Sequence, residues 1–361
     1  MTENNLRPTK KERFRGIILG TAVGDSIGLP AEGLSRRRIR KFFKGRWRHR
    51  LFFNRGMVSD DTDHTAFIAL CLLAHSDSLD HFTRKLAWCL RLWILTLPAG
   101  IGFATLRSII RLWFGISPQK SGVYSAGNGP AMRVAPIGAF FANNPKQINE
   151  FVYASTKITH TDSKALIGAK AVAHLVAWCV RDELTTRPPL KDLMQMLSSI
   201  AQDESEWLEI VETISTSHQN LLSVEEFADS LNLHRGVTGY IYHSVPVAIY
   251  SWYRNFGNFE KILTEVLNCG GDTDTVGAIA GALAGAVVGE KGIPKEWIDG
   301  IFDLLRGVPA LCAIADKLAM KSENEIAFEP MRFLFLGGLL RNLVLICLVV
   351  AHVLRRLLPP Y

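Results

Sequence analysis

The sequence predicts an all-α protein. Apolar residues recur at helical spacing in segment after segment, glycine and proline punctuate between them, and alternating strand patterns joined by hairpin turns are missing. With 361 residues, 48% hydrophobic and 21% charged, the chain is long enough to bury a large core.

Residues 1–16 are polar and lack the apolar run of a secretory signal. Helical spacing starts over 13–23, where Gly16, Gly20 and Gly24, with Gly28 beyond, fall four apart. The stretch SRRRIRKFFKGRWRHR, 35–50, then holds nine Lys/Arg and no acid, more than the whole net charge of +7. It reads either as a solvated surface loop or as a patch for phosphates or an anionic surface. Phe42, Phe43 and Trp47 interleave the charges, although nucleic acid is not the expected partner. Helices follow over 62–74, 82–95 and 105–114, broken by LPAG at 97–100 and GNGP at 127–130. Two more cover 145–158 and 162–180. The stretch 181–232 is more polar and reads as peripheral, with a helix over 191–200. The spacing resumes over 238–253, 260–267, 273–288 and 297–320, giving one all-α domain over 10–325.

In the 273–288 segment Gly277, Gly281, Gly285 and Gly289 again fall four apart. An interior glycine costs a helix about 1 kcal/mol against alanine. Two such rows therefore predict close backbone approach of two central helices, bringing their acidic ends to one place. The tail, 332–358, contains FLFLGGLLRNLVLICLVVAHVL, long enough to cross a bilayer. Arg341 and His352 interrupt it, and a central arginine costs roughly 2.5–3.5 kcal/mol in lipid. A membrane anchor and a helix packed on the protein both fit. The six cysteines are scattered, with no CxxC pair and no Cys/His cluster, as in reduced intracellular thiols. The expected location is the cytoplasm, either free or tethered to the cytoplasmic face of a membrane.

Three acidic clusters sit at helix boundaries: GDSIGLPAEG with Asp25 and Glu32, SDDTDHT with Ser59, Asp60, Asp61 and Asp63, and GGDTDT with Asp272, Asp274 and Thr275. Helix capping accounts for one or two acids per helix, not for Asp60 and Asp61 together with Asp272 and Asp274. If the clusters converge, the carboxylates repel unless cations lie between them. Carboxylate and hydroxyl oxygens favour Mg²⁺ or Mn²⁺ over zinc, and two such ions about 3.5–4 Å apart form a binuclear clamp. Asp272 to Val276 also fits a DxDx[TV] nucleophile pattern, but no apolar strand runs into it. A calcium EF-hand is excluded, because Leu283 stands where the loop needs a glutamate. SAGNGPAMRVAP, with Ser125, Gly127, Asn128 and Gly129, exposes backbone N–H groups suited to a phosphate. His160 precedes Asp162, a helix cap, in THTDS.

Taken together, GTAVGDSIGLPAEG, SDDTDHT, AGIGFATL, SAGNGPAMRVAPIGAF, ITHTDSKALIGAKAVAHLVAW and the stretch ending GGDTDTVGAIAGALAGAVVG resemble the ADP-ribosylglycohydrolase family, in order, over 13–320. The resemblance implies a compact, orthogonal multi-helix fold with two Mg²⁺, or Mn²⁺, in a central cleft. It implies Ser59, Asp60, Asp61, Asp272, Asp274 and Thr275 as metal ligands, with Ser59 where many relatives carry threonine. Glu32 and Asp61 become the candidate catalytic residues. Ser125, Gly127, Asn128 and Gly129 become the loop for the ADP-ribose diphosphate, and His160 a contact of the substrate ribose. The implied activity is hydrolysis of the bond between ADP-ribose and a protein side chain, arginine favoured over serine, with an ADP-ribosylated protein as partner. The rival readings are an ADP-ribose-binding regulator without turnover and a hydrolase of another small ADP-ribosyl conjugate. The basic segment and the apolar tail stand outside the resemblance.

Overall fold

The computed structural model describes residues 7–323 and 335–357, and the fold is all-α. Among the described residues, β pairing is limited to isolated bridges. The centre is the pair Lys10–Gly28 and Thr273–Val288, which run antiparallel and are almost wholly buried. Their glycine rows face each other. A Cβ added at Gly16, Gly20 or Gly24 would fall closer than 3.0 Å to the carbonyl oxygen of Gly285, Gly281 or Gly277 respectively. Only hydrogen side chains let the two backbones meet. At one end of the seam the buried Arg13 guanidinium donates to the carbonyls of Ala286 (2.6 Å) and Val287 (3.1 Å), satisfying the end of the Thr273–Val288 helix. At the other end the Thr273 hydroxyl donates to the Gly28 carbonyl at 2.9 Å. The C-terminus of one helix thus meets the N-terminus of the other.

Asp60–His75, Ser163–Arg181, Ile241–Arg254 and Val308–Glu323 pack round this pair in one apolar core. Two elements differ from the sequence reading. The segment 297–320 is not one helix: Lys295–Asp299 ends at Gly300, and Val308–Glu323 starts beside Pro309. The stretch 181–232 carries two further helices, Ser205–Gln219 and Val224–Ser230, and the first buries Trp207, Ile210, Val211 and Ile214 at i, i+3, i+4 and i+7. That apolar stripe is a core-facing one.

The basic segment is a brace rather than a free loop. Arg36–Phe42 is helical, and buried Arg36 pairs with Asp229 at 2.6 Å and donates to the Leu233 carbonyl at 2.9 Å. Arg40 pairs with Glu225, and Arg46 with Glu260 and Glu296. Trp47 is buried, its indole N–H on Asn268 at 2.9 Å. The tail forms a helix, Phe335–Leu357, that lies against the protein. Arg341, the residue that argues against lipid, is buried in ion pairs with Asp63 (3.0 Å) and Asp303 (2.9 Å).

Candidate active site

The antiparallel glycine seam decides where the acids go. Asp25 lies in the last turns of Lys10–Gly28, Glu32 just beyond it, and Asp272 and Asp274 open Thr273–Val288. The Asp60–His75 helix starts against the same end, because Asp25 holds it there. The Asp25 carboxylate accepts from the backbone N–H of Ser59 (2.8 Å) and Thr62 (3.2 Å) and from the Thr62 hydroxyl (2.6 Å). Burial pushes Asp25 up to about 6.

GGDTDT does not behave as a cap. Asp272 stands at the N-cap position, yet its side chain makes no capping bond. It accepts instead from the Asn128 amide at 2.7 Å, across the cleft. The two glycines before it, with φ of +70° and +85°, thread between the loops at Leu34 and Val237. Gly271 N–H donates to the Leu34 carbonyl and Asp272 N–H to the Val237 carbonyl, each at 2.8 Å. A Cβ on Gly271 would overlap the Val237 carbonyl. Isolated bridges at Leu34–Gly271, Val237–Gly271, Gly127–Tyr240 and Val123–His160 knit the same loops together.

The result is a cleft of about 530 Å³. Glu32, Asp60, Ser125, Gly127, Asn128, Gly129, His160, Asp272, Asp274 and Thr275 all line it. Ser59 and Asp61 are buried beneath its floor, where the Ser59 hydroxyl donates to Asp61 Oδ2 (3.2 Å) and so does the Thr275 hydroxyl (3.3 Å). A larger basin of about 910 Å³ near Lys10, Asn143 and Lys321 has none of these converging acids, so chemistry rather than volume marks the site.

The acids feel one another. Burial first, then mutual repulsion, raises Asp60, Asp61 and Asp274 well above the usual carboxylate range: Asp60 through Asp25 and Glu32, Asp61 through Asp25, Asp60 and Asp272, Asp274 through Glu32, Asp272 and Asp61. Asp61 Oδ1 is buried with no hydrogen-bond partner. An orphaned carboxylate oxygen among hydroxyls and further carboxylates is donor chemistry that fits a hard divalent cation. Among the described residues, no three His, Cys, Asp or Glu side chains are gathered into a ready-made metal cage.

Asp63, one helical turn on, faces the other way. Burial pushes it up, but Arg341 and Arg306 outweigh that and hold it below the usual range, with the Trp93 indole donating at 3.1 Å.

The loop 125–129 is tighter than a free phosphate cradle. Asn128 N–H is used by the Gly239 carbonyl (2.9 Å) and Gly127 N–H by the Ser125 hydroxyl (3.3 Å). Its glycines serve space as well: a Cβ at Gly127 would lie 3.0 Å from His160 Nε2. His160 is held by the Thr159 hydroxyl at 2.8 Å, and burial lowers its pKa to about 3, so the ring is neutral at pH 7. Arg133 stands behind it. Wholly buried, it binds the Ser155 carbonyl (2.9 Å) and the Thr159 hydroxyl (2.7 Å), and burial lowers it only to about 10, leaving a cation under the acids. Sequence reasoning gave no role to Arg133 or to Asp25's pinning of the second helix. An arginine inside the otherwise apolar PAMRVAP was the available signal.

The sequence model of the ADP-ribosylglycohydrolase family matches residues 6–327. The chain belongs to the ADP-ribosylglycohydrolase family. An uncharacterized protein of Archaeoglobus fulgidus is 32% identical over 301 residues, covering 81% of this chain and 92% of its own. The ADP-ribosyl-[dinitrogen reductase] glycohydrolase of Rhodospirillum rubrum is 27% identical, covering 92% and 99%. The ADP-ribosylhydrolase ARH3 of Gallus gallus is 26% identical, covering 79% and 88%. A solved ADP-ribosylglycohydrolase-related protein complex superposes with a TM-score of 0.64 at 25% identity, over 87% of this chain and 99% of that one. The all-α ADP-ribosylglycohydrolase fold is therefore shared along nearly the whole molecule.

Proposed function

We propose that this member of the family hydrolyses the glycosidic bond between ADP-ribose and a modified protein side chain, with arginine preferred over serine, in the cytoplasm. The observation that carries it is the convergence of Asp60, Asp61, Asp272 and Asp274 across the glycine seam, with the buried Asp61 Oδ1 left without a partner. Ser59, Asp60, Asp61, Asp272, Asp274 and Thr275 would hold two Mg²⁺ or Mn²⁺. When bound, such ions would supply Lewis-acid polarisation of oxygen atoms in the cleft.

The chain's own residues supply the rest. The 125–129 loop and neutral His160 seat the diphosphate and ribose, and bonds already made within the loop keep it from collapsing when empty. Glu32, exposed at the cleft rim, takes a proton from the attacking water. The water oxygen ends on the anomeric carbon as the carbon–nitrogen bond breaks, and the proton held by Glu32 passes to the departing side-chain nitrogen. Developing positive charge on the ribose is stabilised by the surrounding carboxylates. With the four aspartates neutralised by two dications, Glu32 at the rim is the charge left to favour the cationic guanidinium of ADP-ribosyl-arginine over the neutral oxygen of ADP-ribosyl-serine.

The test is release of ADP-ribose from arginine- and serine-linked peptides after chelation and after restoring Mg²⁺ or Mn²⁺. The expected result is metal-dependent release, faster from arginine. Tight binding without release would replace the enzyme reading with the regulatory one.

A further inference from the structure

The Phe335–Leu357 helix is amphipathic in the wrong sense for a helix facing water. Arg341, Asn342 and His352 point inward. Arg341 pairs with Asp63 and Asp303, the Asn342 amide donates to the Thr96 carbonyl (3.0 Å) and hydroxyl (2.8 Å), and the His352 ring bonds the Leu51 carbonyl at 2.8 Å. Leu345 also packs inward, but a row of apolar side chains points outward. Leu336, Leu340, Leu343, Val344, Val350 and Leu354 are 44–78% exposed and follow helical spacing along one stripe.

Two loops tied to the helix extend the stripe. Asp303, which holds Arg341, sits between Phe302 and Leu304, both more than half exposed. Leu51, which holds His352, precedes Phe52 and Phe53. Phe52 and Arg55 exchange backbone bonds at 3.0 and 2.7 Å, closing a turn on Phe53 and Asn54, whose φ values are +41° and +59°. Asn or Gly normally fills such positions. Here a phenylalanine takes a left-handed backbone, and its ring is 86% exposed. The charge beside this face is positive. Arg55, in the turn after Leu51, and Arg355, one turn beyond His352, are both exposed, and residues 335–357 contain no acid.

We propose that this face seats the protein in the plane of an anionic lipid surface, with the helix lying in the interface rather than crossing it. Crossing would strip Arg341 from two buried carboxylates. Lying flat keeps every polar bond and puts the apolar stripe, the Phe52–Phe53 turn and the arginines where acyl chains and acidic headgroups meet. Val349, His352 and Val353 border Glu32 in a shared crevice, so the catalytic mouth would open beside the membrane. The proposal does not depend on the hydrolase reading.

The test is flotation of the full chain with vesicles of phosphatidylcholine alone or with phosphatidylglycerol. Wild type is expected to float at least tenfold more with the anionic vesicles. Combined Leu340→Glu, Val344→Glu and Val350→Glu abolishes this with little change in melting temperature, because those side chains are 47–59% exposed on the outer face. Phe53→Gly, which relieves the backbone, keeps stability and weakens flotation severalfold. Failure of wild type to float, equal binding to neutral vesicles, or undiminished flotation of the triple variant would overturn the proposal. So would a soluble dimer that the triple variant dissociates, which would make a second copy the occupant.

Discussion

At the scale of single residues, the carboxylates in the cleft oppose folding, and in the proposed reading they serve chemistry. Burial first, then Glu32, Asp272 and Asp61, raises the Asp274 pKa, so its charge is a strain on the metal-free protein. Asp274→Asn should therefore raise the melting temperature of chelator-treated protein. It should also cost turnover about 100-fold or more, since even outer-shell partners of metals cost 10–100-fold. A melt in EDTA and a release assay with Mg²⁺ check both halves. The acids were legible in the sequence because three motifs each held more of them than caps require. Their division of labour was not. Asp60, Asp61 and Asp63 look alike in DDTD, yet helical geometry turns Asp63 toward Arg341, a residue 278 positions away. Arg133 was hidden for the same reason: its partners Ser155 and Thr159 lie at the end of the Pro145–Lys157 helix and just beyond it.

At the scale of elements, the glycine rows were legible because a period of four has a single geometric meaning on a helix. The brace made by the basic segment was not, since Arg36 finds Asp229 at a separation of 193 residues. The helix Ser205–Gln219 was there to be read in its Trp207, Ile210, Val211 and Ile214 spacing, but polar neighbours masked it. Gly24→Ala should wedge the seam open and cost about 3 kcal/mol, measured by urea denaturation, because the added methyl meets backbone that cannot turn aside. A second contact to the first helix is ionic. Arg15 grips Asp316 of Val308–Glu323 through Nε–Oδ1 (2.6 Å) and Nη2–Oδ2 (2.9 Å), which lowers the Asp316 pKa. Asp316→Asn should cost about 1 kcal/mol, modest because the pair is partly exposed. The sign follows from the lowered pKa. The stabilisation is complete above the unfolded-state value of about 3.9 and disappears as pH falls through the folded value. Wild type and variant should differ in denaturation midpoint at neutral pH and converge in strong acid.

At the scale of the whole molecule, the tail is part of the site's support. Its inner face packs Leu345 on Leu29, Leu51 and Met57, residues that lead into Glu32 and Ser59. Arg341→Ala leaves Asp303 and part of Asp63 buried without a cation. It should lower stability by about 3 kcal/mol and reduce turnover through the displaced Asp60–His75 helix, checked by denaturation and by the release assay. The sequence showed that this segment was apolar and carried an awkward arginine, and both readings of it rested on that. Which face the arginine took depended on Asp63 and Asp303, distant in sequence. The seam has one more consequence, for biosynthesis. Thr273 closes on Gly28 across 245 residues, and Arg13 on Ala286 across 273. The Lys10–Gly28 helix must wait 245 residues or more for its mate. At roughly 5–20 residues per second that interval is on the order of ten seconds to a minute. During that time an apolar, glycine-lined surface has no mate, and a nascent chain cut short before residue 273 carries only half of the proposed site.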